Sequence, residues 1–188
     1  MITLRRDVSV GPLGLVHCEA MFRWASDPDI RRDVGLRQAP SREHTEAWVR
    51  RAEQDPAILP LAIYRGGEHV GNVVLDRIDT FVQSGRLSIY LGSLSVRGAG
   101  VGRTAVYLAC REGFQQLDLH KIWLTVHTRN TAAINTYTRL GFRLEGILRD
   151  EFWLDGQRAD LLYMGLIRDE YQALPVQWMP TDEPGAAA

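Results

Sequence analysis

A glycine-rich turn between a strand-like and a helix-like segment constrains this chain more than any other feature. The apolar stretch Leu87–Leu91 leads through a short loop into Arg97-x-x-Gly100-x-Gly102, and an apolar helical stripe follows from Val106 onward. Glycines at such a turn let a ligand approach the backbone closely. The first N–H groups of a helix have no partner within the helix, and the helix dipole there favours negative charge. The segment therefore predicts a site for a phosphate-bearing ligand.

Two common phosphate-binding motifs do not match this turn. In the dinucleotide fingerprint G-x-G-x-x-G, counted from Gly98, the third glycine position holds Arg103. The P-loop pattern G-x-x-x-x-G-K-[ST] lacks its lysine. The remaining pattern, R-x-x-G-x-G, resembles the pyrophosphate loop of the GNAT superfamily of acetyl-CoA-dependent N-acetyltransferases. For this loop considered alone, a tight structural turn is the alternative.

A second segment, after the apolar strand candidate Ile122–Val126, strengthens the resemblance. The run from Asn130 to Phe142 is similar to the N-x-x-A-x-x-x-Y-x-x-x-G-F segment of that superfamily at every defined position. Asn130 is suited to cap a helix, and Gly141 to end it in the left-handed conformation. The pattern from Phe142 to Met164 resembles a branch that includes ribosomal-protein N-terminal, spermidine-type and amino-sugar acetyltransferases. An ordinary amphipathic helix would explain the periodicity but not the asparagines and the tyrosine.

The order of the predicted elements indicates one α/β (α+β) domain with a mixed, largely antiparallel sheet. Outside the two motifs, the patterns predict a strand over Ile2–Val8 and a helix over Leu13–Ala25, with a short helical turn from Pro28. A further helix is predicted from a cap at Ser41 to Glu53. Two hairpins are predicted, one joining Ala57–Tyr64 to His69–Asp76 and the other joining Phe142–Trp153 to Arg158–Ile167 through Asp155-Gly156. We expect the domain to cover residues 1–174 and a disordered or loose tail to cover 175–188. The resemblance implies about seven strands, splayed between 86–92 and 122–127, with a bulge near 90–92.

The resemblance also implies direct attack of a neutral amine on the thioester of acetyl-CoA. A backbone N–H near Tyr90–Gly92 would stabilise the oxyanion. Tyr137 would protonate the leaving thiolate, because a phenol with a pKa near ~10 is protonated at neutral pH. The implied cofactor-binding residues are Tyr90, Leu91, Gly92, Arg97, Gly98, Ala99, Gly100, Val101, Gly102, Arg103, Asn130, Asn135 and Arg139. Arg139, Arg143 and Arg149 are candidates for binding the 3′-phosphate or an anionic substrate. The candidates for the general base are Asp27, Asp29, Asp76, Asp79 and Glu151.

Composition limits the partners of the chain. A formal net charge of −1 over 188 residues gives no electrostatic case for nucleic acid. The sequence shows no metal-ligand spacing, no signal segment and no apolar run long enough for a membrane span, so we expect a cytoplasmic protein without a metal. Cys18 and Cys110 lie in apolar patterns and are expected to be buried thiols.

The sequence leaves the acyl acceptor open. We expect a small-molecule primary amine, with an amino sugar slightly ahead of a polyamine, because Asp27, Asp29, Asp33 and Glu43 are interleaved with Arg31, Arg32 and Arg42. A protein N-terminus is an alternative acceptor, and relatives are commonly dimers. An acyl-CoA sensor without catalysis is one rival. A nucleotide-binding domain is another, and it predicts a continuous parallel sheet with a ribose-binding acid near Asp118.

Overall fold

The structure, a computed structural model, describes residues 1–28, 30–31, 40–92, 96–154 and 156–179. The strands are β1 (Ile2–Leu4), β2 (Val8–Pro12), β3 (Leu59–Arg65), β4 (Glu68–Asp79), β5 (Ser84–Leu91), β6 (Lys121–His127), β7 (Arg143–Leu154), β8 (Gln157–Ile167) and β9 (Val176–Trp178). The helices are α1 (Cys18–Ser26), α2 (Arg42–Gln54), α3 (Val101–Gln115), α4 (Thr131–Arg139) and α5 (Arg168–Gln172), and a short 3₁₀ helix, Leu15–His17, precedes α1.

Seven strands form one mixed sheet in the order β2-β3-β4-β5-β6-β8-β7. Its neighbours are antiparallel except for β5 and β6. The predicted class, a single mixed α/β domain with a largely antiparallel sheet, is confirmed. The rival prediction of a continuous parallel sheet is wrong, and Asp118 lies before β6 in an ion pair with Arg168 (2.7 Å).

The two faces of the sheet are buried against different helices. On one face, Ile122, Leu124 and Val126 alternate along β6 into the main core, where α3 contributes a buried stripe. Alternate residues of a strand point to opposite faces, so Trp123, Thr125 and His127 face the other side. On that side, α1 and α2 pack over β3, where Met21, Val49 and Ala62 belong to a smaller cluster.

The N-terminal elements differ from the predicted ones. The strand predicted over Ile2–Val8 is divided into β1 and β2, which belong to different sheets. The helix predicted from Leu13 begins at Cys18, because Gly14 is extended (φ −144°, ψ −176°) and a tighter 3₁₀ turn follows it. Pro28 is helical as predicted, but Asp29 and residues 32–39, which include Arg32 and Asp33, lie outside the described residues.

The start of the segment predicted as a loose tail is ordered. Within it, β9 pairs in parallel with β1, in a register that joins Ile2 to Val176 and Leu4 to Trp178. Leu4 is fully buried in the main core, and the burial of its apolar side chain stabilises the β1–β9 pairing. Residues 180–188, the rest of the predicted tail, lie outside the described residues.

The hairpins and helix ends follow the predicted turn chemistry. The Ser41 side chain accepts a hydrogen bond from the His44 N–H (3.1 Å) at the start of α2. Gly141 is left-handed (φ +86°) after α4. Both predicted hairpins form, as β3–β4 and β7–β8, although Asp155 of the second turn lies outside the described residues. Cys18 and Cys110 are buried free thiols, as predicted.

The bulge predicted near residues 90–92 is absent from the described strands. β4 and β5 pair without interruption from Asp76–Arg86 to Gly71–Leu91. The nearest irregularity lies one strand away, where Ile63 pairs with Gly71 and Tyr64 pairs with His69, which leaves Val70 as an extra residue in β4. The opening of the sheet therefore arises at the junction of β5 and β6 and needs no bulge in β5.

Candidate active site

The sheet opens between β5 and β6. These parallel strands pair only at Ser84–Lys121, Gly85–Ile122 and Arg86–Trp123. Beyond that point β5 continues beside β4 and β6 continues beside β8, and no further β5–β6 pair is recorded among the described residues. The predicted splay is confirmed, and it leaves two strand edges facing each other with backbone groups available to a ligand.

The backbone groups that face this gap can be assigned from the pairing pattern. The Gly92 N–H donates to the Val70 carbonyl (2.9 Å). Hydrogen-bonded and non-hydrogen-bonded pairs alternate along antiparallel strands, so the Tyr90 N–H is also directed to β4. The N–H groups of Ile89 and Leu91 consequently face the gap. Within residues 90–92, Leu91 is therefore the residue whose N–H faces the gap.

The glycine loop lies at the mouth of the gap. Gly98 and Gly100 are left-handed (φ +75° and +81°), and α3 starts at Val101. Glycine tolerates this conformation without strain. Thr104 ties the first turn of α3 to the loop, because its backbone N–H and its hydroxyl both donate to the Gly100 carbonyl (each 3.1 Å). Arg5 supports the loop from β1's side by donating to the Ala99 carbonyl (3.3 Å).

A cleft of about 550 Å³ joins the gap, the loop and α4. The predicted site residues that line it are Tyr90, Leu91, Arg97, Gly98, Gly100, Gly102, Arg103, Asn130, Asn135, Tyr137 and Arg139. Gly92, Ala99 and Val101 lie elsewhere. Val101 is fully buried in the core, Ala99 packs against that core, and a Cβ on Gly92 would collide with the Trp24 indole.

Four arginines give the cleft a positive lining: Arg97, Arg103, Arg129 and Arg139. In the described part of the chain, no carboxylate side chain lines it. The Nε atom of Arg103 is buried and makes no hydrogen bond to a described residue. A buried guanidinium donor beside the first turn of a helix fits a diphosphate ligand. The residues present therefore fit the nucleotide end of coenzyme A.

Helix α4 presents two predicted side chains to the cleft. The Asn130 side chain accepts from the Ala133 N–H (3.1 Å), so it caps the helix as predicted. Tyr137 lies two turns later, with its ring 5.8 Å from that of Phe142. Burial raises the pKa of Tyr137 to about 12, because a low-dielectric environment disfavours the phenolate. The phenol is therefore protonated throughout the neutral range.

Among the described residues, none of the carboxylates predicted as general bases lines the cleft. Asp76 is held by two hydrogen bonds from Arg86 (2.6 and 2.8 Å). Asp79 accepts from the N–H groups of its own turn at residues 81 and 82. Asp27 accepts from the Ile30 N–H (3.3 Å) after α1. Glu151 is exposed on β7, and Asp29 lies outside the described residues.

Two of the arginines considered for the 3′-phosphate are also away from the cleft. Arg143 forms an ion pair with Glu170 (2.8 Å), and Arg149 is exposed on β7. Arg139 and Arg129 remain as cleft-lining arginines near α4. Arg129 was not among the predicted site residues, although it immediately precedes the predicted cap Asn130.

A buried polar network on the α1 side of the sheet was not predicted from the sequence. The Asn72 amide donates to the Tyr90 hydroxyl (2.6 Å), and its oxygen contacts His69 Nε2 (2.8 Å). The His69 ring lies 4.7 Å from Trp24 and 4.6 Å from His17. Burial lowers the pKa of His69. The network holds Tyr90 in place behind the gap. It could not be predicted from a local sequence motif, because its members come from separate elements.

His127 is the remaining residue that sequence reasoning missed. It ends β6, lines the cleft, and stacks on Phe152 with a centroid distance of 6.1 Å and an interplanar angle of 13°. Its place at the end of the strand that precedes Asn130 could have identified it. Among the described residues, no group of His, Cys, Asp or Glu side chains could hold a metal ion. None of the described helices has both the length and the apolar character that a membrane crossing requires.

These features define a mixed α/β domain whose sheet opens beside a glycine-rich loop at the start of a helix. The Acetyltransferase (GNAT) domain model matches residues 10–143. The chain therefore belongs to the GNAT acetyltransferase family, as its motifs predicted.

Similarity to individual proteins agrees with this assignment. Over 107 residues the chain is 35% identical to a spermidine N(1)-acetyltransferase from Escherichia coli K12, and the match covers 57% of each protein. A putative ribosomal N-acetyltransferase from Bacillus subtilis strain 168 is 28% identical over 75 residues, which are 38% of this chain and 41% of that protein. The chain thus spans less than two thirds of the length of these curated relatives.

The fold is shared with a solved spermidine N-acetyltransferase from Vibrio cholerae, crystallised in complex with CoA and spermine. The TM-score is 0.83 at 23% identity, and the superposition covers 88% of this chain and 98% of that chain. This likeness establishes the architecture of the splayed sheet and its helices.

Proposed function

We propose that this protein transfers the acetyl group of acetyl-CoA to a primary amine of a small molecule. The observation that carries the proposal is the gap between β5 and β6 with the glycine loop at its mouth. An extended arm that bears amides can pair with the free strand edges, while a diphosphate occupies the first turn of α3. Family membership supports the same ligand.

In this reaction the residues of the cleft have separate tasks. The loop backbone, Arg97 and Arg103 would hold the diphosphate, and Asn130 and Asn135 would contact the amide-bearing arm. The Leu91 N–H would stabilise the oxyanion that forms when the amine attacks the thioester. Tyr137 would give its proton to the departing thiolate.

A polyamine is the acceptor that the relatives favour. The E. coli relative that is 35% identical is a spermidine acetyltransferase. The amino-sugar prediction rested on arginines interleaved with acidic residues between 27 and 43, and of these residues Asp29, Arg32 and Asp33 lie outside the described residues. A protein N-terminus is the second candidate, since one relative carries the name of a putative ribosomal N-acetyltransferase.

Association into a homodimer is also proposed. The sheet ends at β7, and this edge strand exposes Ile147 (56%) and Trp153 (60%). Exposed apolar side chains on an edge strand favour pairing with another chain. Sedimentation velocity of the wild type and of Ile147→Lys tests it: a monomeric wild type would contradict the proposal.

Two measurements test the proposed activity. Thermal unfolding is compared in the presence of CoA, NAD and ATP, because a ligand that binds the native state raises its apparent stability. Release of CoA thiol from acetyl-CoA is then followed with spermidine, glucosamine and a peptide with a free N-terminus. Stabilisation by CoA with turnover of one amine supports the proposal. Stabilisation without turnover of any amine supports the sensor alternative, and stabilisation only by NAD or ATP overturns the proposal.

A further inference from the structure

The proposed reaction needs a group that accepts the proton of the incoming amine. An alkylammonium group has a pKa near ~10 and is protonated at neutral pH, so it cannot attack a thioester until it loses a proton. In the described part of the chain, no carboxylate lines the cleft. Apart from arginines, the titratable side chains that line it are Tyr90, His127 and Tyr137.

The two tyrosines are unsuited to this task. Burial raises the pKa of Tyr90 and raises that of Tyr137 to about 12. Both phenols are therefore protonated at neutral pH and can only donate. The Tyr90 hydroxyl is also engaged by the Asn72 amide (2.6 Å).

The strand geometry brings His127 to the gap. Alternation along β6 buries Leu124 and Val126 in the α3 core, so His127 is directed to the opposite face. Its backbone is fixed, because it pairs with Leu161 of β8 and its carbonyl accepts from the Asn130 N–H (2.9 Å). The Phe152 ring stacks on the imidazole and holds its orientation.

The register across the gap places His127 opposite Tyr90. Arg86 and Trp123 form the last recorded β5–β6 pair. Continuing that register along both strands brings Tyr90 level with His127, and both residues line the cleft. The gap-facing Leu91 N–H is adjacent in sequence to Tyr90. The imidazole and the proposed oxyanion donor therefore flank the same section of the gap, from its two edges.

We propose that His127 is the catalytic proton acceptor of this acetyl transfer, an assignment that rests on the proposed function. His127 takes one proton from the substrate ammonium and releases it to solvent. The free amine then forms the C–N bond, the C–S bond breaks, and the sulfur takes the Tyr137 proton. The second proton lost by the nitrogen restores the phenol. Each cycle thus yields an amide, CoA thiol and one proton.

The charged and titratable surroundings of His127 matter for its pH dependence. The titratable groups that line the same cleft are Arg97, Arg103, Arg129, Arg139, Tyr90 and Tyr137. On the neighbouring strands β7 and β8, charged residues lie within two positions of the pair Phe152–Ala159, where Phe152 stacks on the imidazole: Asp150, Glu151, Arg158 and Asp160. Burial raises the pKa of both phenols, so they stay protonated through the neutral range. We therefore expect the acidic limb of kcat/KM to be lost when His127 is replaced.

The experiment compares His127→Gln with the matched control His120→Gln, using spermidine as the probe amine. His120 is exposed and lies just before β6, away from the cleft. We expect His127→Gln to lower kcat/KM at pH 7 by about 100-fold with CoA affinity unchanged by calorimetry. The deficit should shrink towards pH ~9.5, where more of the amine is already neutral. Added imidazole should restore part of the rate of His127→Gly, while His120→Gln matches the wild type.

Three results would overturn the assignment. The first is a wild-type rate and acidic limb in His127→Gln. The second is a loss of CoA affinity as large as the loss of kcat/KM, which would make His127 a binding residue. The third is a deficit that stays constant with pH and is not relieved by imidazole. A wild-type protein that binds CoA but acetylates none of the three amines would instead overturn the proposed function itself.

Discussion

At the scale of single residues, burial decides what each titratable group in the cleft can do. Tyr137 is only 9% exposed, and its phenol keeps its proton because the surrounding core disfavours a charge. The same physical effect has the opposite sign for histidine, whose charged form is the protonated one. Burial therefore lowers the pKa of His69, behind the gap, and favours its neutral form.

Replacing Tyr137 by phenylalanine tests its role as the acid. We expect Tyr137→Phe to lower kcat by about 100-fold or more, because the thiolate would leave without a proton donor. The affinity for CoA should be unchanged, since the ring and its packing are retained. Steady-state kinetics and calorimetry measure the two quantities. Tyr107→Phe is the control, because Tyr107 lies on α3 outside the cleft and packs against Tyr171 of α5. Equal kcat values for the two variants would exclude the acid role.

The same pKa predicts the alkaline behaviour of the enzyme. A donor with a pKa of about 12 stays protonated well above neutral pH. We therefore expect kcat to show no fall up to about pH 10, measured with the most active amine. A fall centred near pH 8 would show that Tyr137 is not the donor or that its environment opens when the substrate binds.

His69 links the polar network to the stability of the fold. Its pKa is lowered in the native state from about 6.5, so the unfolded chain takes up this proton more readily. The contribution of neutral His69 to the free energy of unfolding is therefore complete above pH ~6.5 and is lost as the pH falls through the lower native pKa. We expect the free energy of unfolding, measured in urea between pH 7.5 and pH ~5, to fall less steeply for His69→Gln than for the wild type. The exposed His120→Gln should follow the wild type, and parallel curves for all three proteins would contradict the prediction.

At the scale of elements, the ends of strands and helices build the site. β5 and β6 part after Arg86–Trp123, α3 begins at Val101 behind two left-handed glycines, and α4 begins at the Asn130 cap. Each of these ends leaves backbone groups without a partner inside its own element. The cleft collects them at one edge of the sheet, which is why it suits a ligand with a diphosphate and amides.

Asn130 has a structural task and a proposed binding task, which substitutions can separate. Asn130→Ala should lower the free energy of unfolding by about 1 kcal/mol, because the Ala133 N–H loses its acceptor. Asn130→Asp should retain that stability, since aspartate caps as well. If the amide contacts CoA, Asn130→Asp should still weaken CoA binding. Urea unfolding and calorimetry distinguish the two effects, and unchanged CoA affinity in Asn130→Asp would leave Asn130 with the cap alone.

At the scale of the whole molecule, distant parts of the chain close the core. β1 and β9 pair although they lie near opposite ends of the sequence, and the Met179 N–H donates to the Leu4 carbonyl (2.7 Å). Trp178 packs on Tyr107 of α3 (6.3 Å between ring centroids). The small sheet therefore packs against α3 through Trp178.

Truncation tests where the folded domain ends. A chain ending at residue 174 should unfold several degrees below the full-length protein, because Ile2 and Leu4 lose their strand partner and part of their cover. A chain ending at residue 179 keeps β9 and should unfold like the full-length protein. Calorimetry measures both midpoints. Equal midpoints for the two truncated chains would support the domain boundary predicted from the sequence at residue 174.

The sequence by itself determined the family, the largely antiparallel α/β class, the loop at Gly98–Gly102 and the capped helix at Asn130. These features are local: glycine, asparagine and proline impose backbone conformations on their immediate neighbours, and alternating apolar residues mark strands. Even the splay was expected, through the resemblance of two such local motifs.

Tertiary structure alone decided which of the candidate residues share the cleft. It excluded Asp76 from the cleft, because Asp76 forms a salt bridge with Arg86, ten residues away on the next strand. It brought His127 level with Tyr90 through strand register, and it joined β9 to β1. Such contacts connect residues that are distant in the chain, and their free energy depends on which apolar surfaces are buried together. A single sequence records those surfaces only as separate patterns, so the partners emerge when the chain packs.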